Sequence, residues 1–234
     1  MTERQMYAKP VVLNSVNHRT LKVRPVKDYS FAKGFNSCII VGQEFIEAAK
    51  FYPIVFSVST NDVVNPVAIL GINNNLLVKE DGKWEENAYI PAFIRRYPYI
   101  LAEGLTQDGS LTVCIDSAYS GFDAEDGERL FADDGQNAPA LNKTIEFLRQ
   151  YHSQHEATKA FVNHIKGLNV FKPIEANIRL SSGEQFTVKN LMMIDEPALK
   201  KLPDSELSQL VRKGYLAWIY AHLYSMANFN RLIR

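Results

Sequence analysis

The chain has 234 residues, 46% hydrophobic and 22% charged, which fits a globular protein and excludes a disordered or collagen-like one. Lys and Arg number 26 and Asp and Glu number 26, so the formal charge is zero and no broad phosphate-gripping surface for nucleic acid is expected. The length suits one large domain or two small ones, with a core that needs no disulfide or metal as a staple.

Apolar patterning assigns elements in chain order. Val11–Leu13 and Leu21–Val23 read as short strands, the second stopped by Pro25. Ser37–Val41 is another, followed by a helix from Gln43 to Phe51 that Pro53 ends. Ile54–Ser59 and Val67–Ile72 are apolar runs of strand length. Leu76–Val78 and Trp84 flank Asp81-Gly82, a hairpin turn signal. Pro91 opens a short helix and Pro98 closes it. Tyr99–Leu101 and Leu111–Ile115 bracket Asp108-Gly109 as a second hairpin. Residues 122–136 are an acidic connector, read as a solvated loop; the glycine spacing of a calcium-binding loop is missing.

The second half reads mainly as helix. Ala138 to Ile165 carries an apolar stripe that loses its regularity near Gln154, where a break is allowed, and Gly167 stops it. Ala176–Leu180 and Gln185–Val188 around Ser182-Gly183 form a third hairpin. A short helical segment follows from Asp195 to Leu202, and Asp204 or Ser205 caps a last helix that runs nearly to Arg234. Strands cluster without regular βαβ alternation, so the expected class is α+β. Its N-terminal half is rich in antiparallel hairpins, and its C-terminal half is mostly helical with a long C-terminal helix. One domain over 1–234 is expected, strand-rich over 9–120 and helix-rich over 137–234.

The first ten residues lack the apolar run of a secretory signal, and no segment has the ~20 apolar residues of a bilayer span. The nearest candidate, 214–230, is short and interrupted by His222, Ser225, Asn228 and Asn230. A cytoplasmic location without an integral membrane segment follows as the expectation. Cys38 and Cys114 sit in apolar runs and read as buried, reduced thiols; two cysteines complete no zinc site, and no metal or other cofactor is expected.

No dinucleotide fingerprint, P-loop, nucleophile elbow or zinc-protease helix occurs. His152 and His155 lie three apart on the long helix with no matching carboxylate pair to make a di-iron site, and His18 reads as a loop residue. Arg95 and Arg96 offer an anion clamp, since guanidinium binds carboxylate or phosphate through two parallel hydrogen bonds. Adjacent helical residues point about 100° apart, so one arginine should face inward, with Asp116 as its first-choice partner. Tyr89 belongs to the aromatic supply beside them. On the last helix His222 falls on the apolar stripe, and His222, Ser225, Asn228 and Arg231 form a row spaced by three. A buried imidazole must find hydrogen-bond partners or shift its pKa downward. His222 and Asn228 are therefore expected to be buried and bonded to other elements.

The stretch from Tyr89 to Pro98, Tyr-Ile-Pro-Ala-Phe-Ile-Arg-Arg-Tyr-Pro, resembles the central signature of the bacterial SapC family. So do Glu44-Phe45 with Tyr52–Phe56, Pro66–Gly71, Cys114–Asp116, Gly127–Phe131, and His222-Leu223 with Ser225, Asn228 and Leu232. The resemblance runs from about Lys9 to Arg234. It implies a bacterial protein associated with surface-layer or outer-membrane uptake functions, and it brings no catalytic residues.

Two readings stand at this level. One is a cytoplasmic binding or accessory protein. The other is an enzyme of unrecognised type acting on a peptide or small anionic molecule in a pocket near Arg95, Arg96 and His222. The binding candidates are Arg95, Arg96, His222, Ser225, Asn228 and Tyr89, and the partner is a small anionic ligand or peptide.

Overall fold

The strands, in chain order, are β1 (Pro10–Val12), β2 (Lys22–Val23), β3 (Ser37–Ile39), β4 (Ile54–Val58), β5 (Val64–Ile69), β6 (Tyr99–Ala102), β7 (Thr112–Asp116), β8 (Glu128–Arg129), β9 (Phe171–Arg179) and β10 (Gln185–Ile194). The helices are α1 (Phe45–Ala48), α2 (Ala92–Arg95), α3 (Pro139–Gly167), α4 (Glu196–Leu199), α5 (Asp204–Arg212), α6 (Tyr215–Ser225) and α7 (Phe229–Leu232). This computed structural model describes residues 6–102, 104, 111–179 and 185–232, with the side chains of 175–179 and 185–188 left out. The turn residues Asp108-Gly109 and Ser182-Gly183 lie outside the described residues. The fold is α+β, and every strand pairing among the described residues is antiparallel.

Backbone contacts divide the chain into two units, each assembled from discontinuous segments. The first takes 1–33, 78–85 and 92–153. Its sheet has the order β1-β7-β6, and β2 pairs with β8. Tyr99 and Ile115 stand directly opposite each other in the β6–β7 ladder, so both point to one face. There they pack with Leu130, Phe131, Leu141 and Leu148, the last two from the first half of α3. The acidic connector is therefore not simply a solvated loop. Its acids face outward while Leu130 and Phe131 enter the core, because β8 inside it pairs with β2. At Asp81-Gly82 the chain turns with Gly82 at φ 78°, yet only a single bridge, Val78 to Trp84, closes the flanks.

The second unit takes 34–77, 86–91 and 154–234. Its sheet has the order β3-β5-β4-β10-β9. The helix expected over Gln43–Phe51 is a 3-10 turn, Gly42–Glu44, running into the short α1. α6 packs on β4, β10 and α1. Phe161 of α3 is fully buried among Phe45, Phe56, Tyr215 and Trp218, with ring centroids 5.1–6.4 Å away.

α3 runs unbroken for 29 residues, against the break allowed near Gln154. What changes there is the packing: the helix leaves the first unit at Ser153 and enters the second at Gln154. Thr158 Oγ1 donates to the Gln154 carbonyl at 2.7 Å and accepts from the Gly42 N–H at 2.9 Å. The last helix, in contrast, does not run straight from Asp204. Gly214, at φ 73°, separates α5 from an 18-residue helical stretch ending at Leu232.

Candidate functional site

A cleft of about 480 Å³ opens in the first unit. Three parts of the chain build it: the segment from β2 to Tyr29, the run from Ile94 to Tyr99, and the opening turns of α3. Four cationic side chains line it, Arg24, Arg95, Arg96 and Lys143, against one acid, Glu128. Tyr29, Tyr97 and Phe147 supply aromatic wall.

Arg95 and Arg96 divide as their 100° separation requires. Arg95 is exposed, its guanidinium 5.2 Å from the centre of the Phe147 ring. Arg96 is 6% exposed and lies over the rings of Phe93, at 4.5 Å, and Tyr151, at 5.3 Å. The expected pairing with Asp116 does not form. That carboxylate is taken up mostly by backbone: it accepts the N–H groups of Ala8 at 2.9 Å, Lys9 at 2.8 Å and Ala118 at 3.2 Å, and the Tyr97 hydroxyl at 3.4 Å. It ties the N-terminal arm to the end of β7 instead.

The hydroxyls of the cleft differ in state. Burial raises the Tyr29 phenol, with Arg95 pulling the other way. Burial first, and the Asp116 charge second, push Tyr97 up to about 12. Tyr99 is 7% exposed and burial pushes its phenol higher still, so it stays a protonated donor at any ordinary pH. Its hydroxyl is shielded from water and has no well-formed hydrogen bond among the described residues. Thr144 stands beside the phenol and pulls its pKa slightly the other way; its Oγ1 donates to the Ala140 carbonyl at 3.0 Å and keeps lone pairs that can accept the Tyr99 hydroxyl.

The other candidates fall in the second unit, bound to its backbone. The His222 ring takes one tautomer: Nδ1–H donates to the Ile54 carbonyl at 2.6 Å and Nε2 accepts the Ile194 N–H at 3.1 Å. Ser225 Oγ accepts the Ile54 N–H at 2.9 Å and donates to the His222 carbonyl. The β4–β10 register, Leu191 to Ser57 and Met192 to Phe56, would next place Ile194 opposite Ile54. The imidazole occupies that step, bridging one strand's carbonyl to the other strand's N–H. Asn228 Nδ2 donates to the carbonyls of Ala49 at 2.7 Å and Tyr52 at 3.2 Å. Tyr89 donates its hydroxyl to buried Glu44 at 2.6 Å, and its carbonyl accepts the Tyr52 hydroxyl.

No group of three or more His, Cys, Asp or Glu among the described residues could hold a metal ion. Both cysteines are free and buried, and burial raises both thiols. No helix among the described residues is long and apolar enough to cross a membrane.

A family model for SapC matches residues 13–232. The chain belongs to the SapC family. No curated protein and no solved structure matches it. Of the stretch that carries the SapC resemblance, Ile94 to Pro98 lines the cleft. Sequence reasoning picked Arg95 and Arg96 there but missed Arg24, Lys143, Glu128 and Tyr99. One signal was present: the first turn of α3 carries no acid, unusual for the positive end of a long helix.

Proposed function

We propose that this SapC family member is a binding protein without catalysis, holding a small anionic molecule in the cleft of its first unit. The observation that carries the reading is the cationic lining: Arg95, Arg96, Lys143 and Arg24, the last also meeting Asp126 at 3.5 Å, beside Glu128. A chain of zero formal charge concentrates cations at this place, beside aromatic wall that can take a ligand's apolar body. The family's link to surface-layer and outer-membrane uptake functions supports an accessory role there, exercised from the cytoplasm. The enzyme reading draws no support from His222, whose two ring nitrogens are both spent on backbone.

The test is calorimetric titration of the purified chain with a panel of small carboxylates and phosphates, repeated with Arg95→Gln. Arg95 is exposed, so its replacement leaves the core intact. Saturable binding weakened about tenfold in the variant is expected, the scale of a lost charge-assisted hydrogen bond. Binding indifferent to Arg95→Gln, or no binding across the panel, rejects the reading.

A further inference from the structure

We infer that the anion taken by this cleft is the carboxylate of a zwitterion, a free amino acid or short peptide with an apolar body, received by Lys143 while Glu128 receives its ammonium. The inference rests on the proposed anion-binding reading and adds a cationic end to the ligand.

The first observation is what the charged groups of the lining already do. Arg24 meets Asp126 at 3.5 Å, and Arg95 and Arg96 are engaged by rings and other groups of the protein. Lys143 and Glu128 both line the cleft, and neither side chain has a partner among the described residues, the other included. One cation and one acid are thus left for a ligand. A plain anion would use the first and be repelled by the second, whereas a zwitterion uses both.

The second observation is why the two stay unengaged. Glu128 has a cation next to it in the chain, Arg129, but that guanidinium holds Asp133 at 2.7 Å, as Arg24 holds Asp126. Lys143 leaves Glu146, the acid three residues on along α3, unbonded, and lines the cleft instead. The third is the rest of the wall. Val26, Tyr29, Ile94, Tyr97 and Phe147 give the cleft an apolar surface that a ligand made only of charge would leave wet and an apolar side chain would cover. A volume of about 480 Å³ suits an amino acid with a large side chain or a dipeptide.

Phenylalanine, phenylalanyl-leucine and 3-phenylpropionate share an aromatic ring and a carboxylate, and only the last lacks the ammonium. Each is titrated calorimetrically into the full chain, Glu128→Gln and Lys143→Gln at about pH 6.5, where both end groups are charged. Both positions are exposed, so either replacement leaves the core intact. At least one zwitterion should bind the wild type about fivefold more tightly than 3-phenylpropionate, the scale of one exposed charge pair. The tighter of the two tells whether a free amino acid or a peptide is the source. Glu128→Gln should abolish that advantage without weakening 3-phenylpropionate, and Lys143→Gln should weaken all three. If 3-phenylpropionate binds as tightly as both zwitterions, the inference is overturned and the anion-binding reading stands. An advantage that survives Glu128→Gln, or binding indifferent to Lys143→Gln, has the same meaning. Silence from these three while another carboxylate or a phosphate binds rejects the inference alone; silence from every anion rejects the reading beneath it as well.

Discussion

Ile54 has neither of its β10-facing backbone groups satisfied by β10. Ser225 answers its N–H and His222 its carbonyl, and three residues on Asn228 answers Ala49 and Tyr52. A spacing of three keeps such residues near one side of a helix, so one row of polar side chains serves backbone groups of β4 and of the segment between α1 and β4. Burying such groups without partners costs more than the bonds themselves contribute. Asn228→Leu keeps the volume and removes the donor, leaving two carbonyls short. We expect a loss of about 1–3 kcal/mol, read as a lowered denaturation midpoint. An unchanged midpoint would mean that water or a neighbouring group replaces the amide at no cost.

At the scale of elements, the terminal helix is held by close approach as much as by bonds. A Cβ built on Gly42 would stand 2.3 Å from Cε3 and 2.4 Å from Cζ3 of Trp218. The indole cannot swing aside freely, since it packs against Phe161 at 5.2 Å and Phe45 at 6.3 Å. Gly42→Ala therefore forces α6 outward or the ring off its rotamer, at about 1–3 kcal/mol. Chemical denaturation should show that loss together with a shifted tryptophan emission. A fully stable variant would show that α6 can slide on the 3-10 turn.

Across the whole molecule the His222 bridge couples folding to pH. Burial holds the ring's pKa at about 4, against 6.5 in a free chain, with the bond to the Ile54 carbonyl pulling the other way; a proton on Nε2 would besides confront the Ile194 N–H. Above pH 6.5 neither state carries this proton. Between there and about 4 the unfolded chain binds it and the folded chain does not, so stability falls with pH by about 3 kcal/mol across the window. His222→Gln can still donate to one carbonyl and accept one N–H, but it does not titrate. Denaturation midpoints at about pH 7.5 and about pH 4.5 should show the stability difference between wild type and variant moving in the variant's favour at the lower pH. A constant difference would place the ring in contact with water.

Local rules carried far in this chain. Alternation, proline stops and Asp-Gly turns marked β4, β6, β7 and the short α2, and spacing by three and four placed His222 and Asn228 on the buried side of the last helix. The 100° step between neighbours split Arg95 from Arg96. Each of these depends only on the geometry of one element, which the order of residues dictates. What the order could not dictate was which distant segments share one space. The loss of regularity near Gln154 looked like a broken helix and is a change of neighbours along an unbroken one. Asp116 looked like an arginine's partner and serves backbone N–H groups more than a hundred residues away in the chain. Arg24, Lys143, Glu128 and Tyr99 say nothing about one another in sequence. The cleft exists because folding brings the end of β2, the start of β6 and the first turns of α3 together around it, and that convergence is fixed by long-range packing alone.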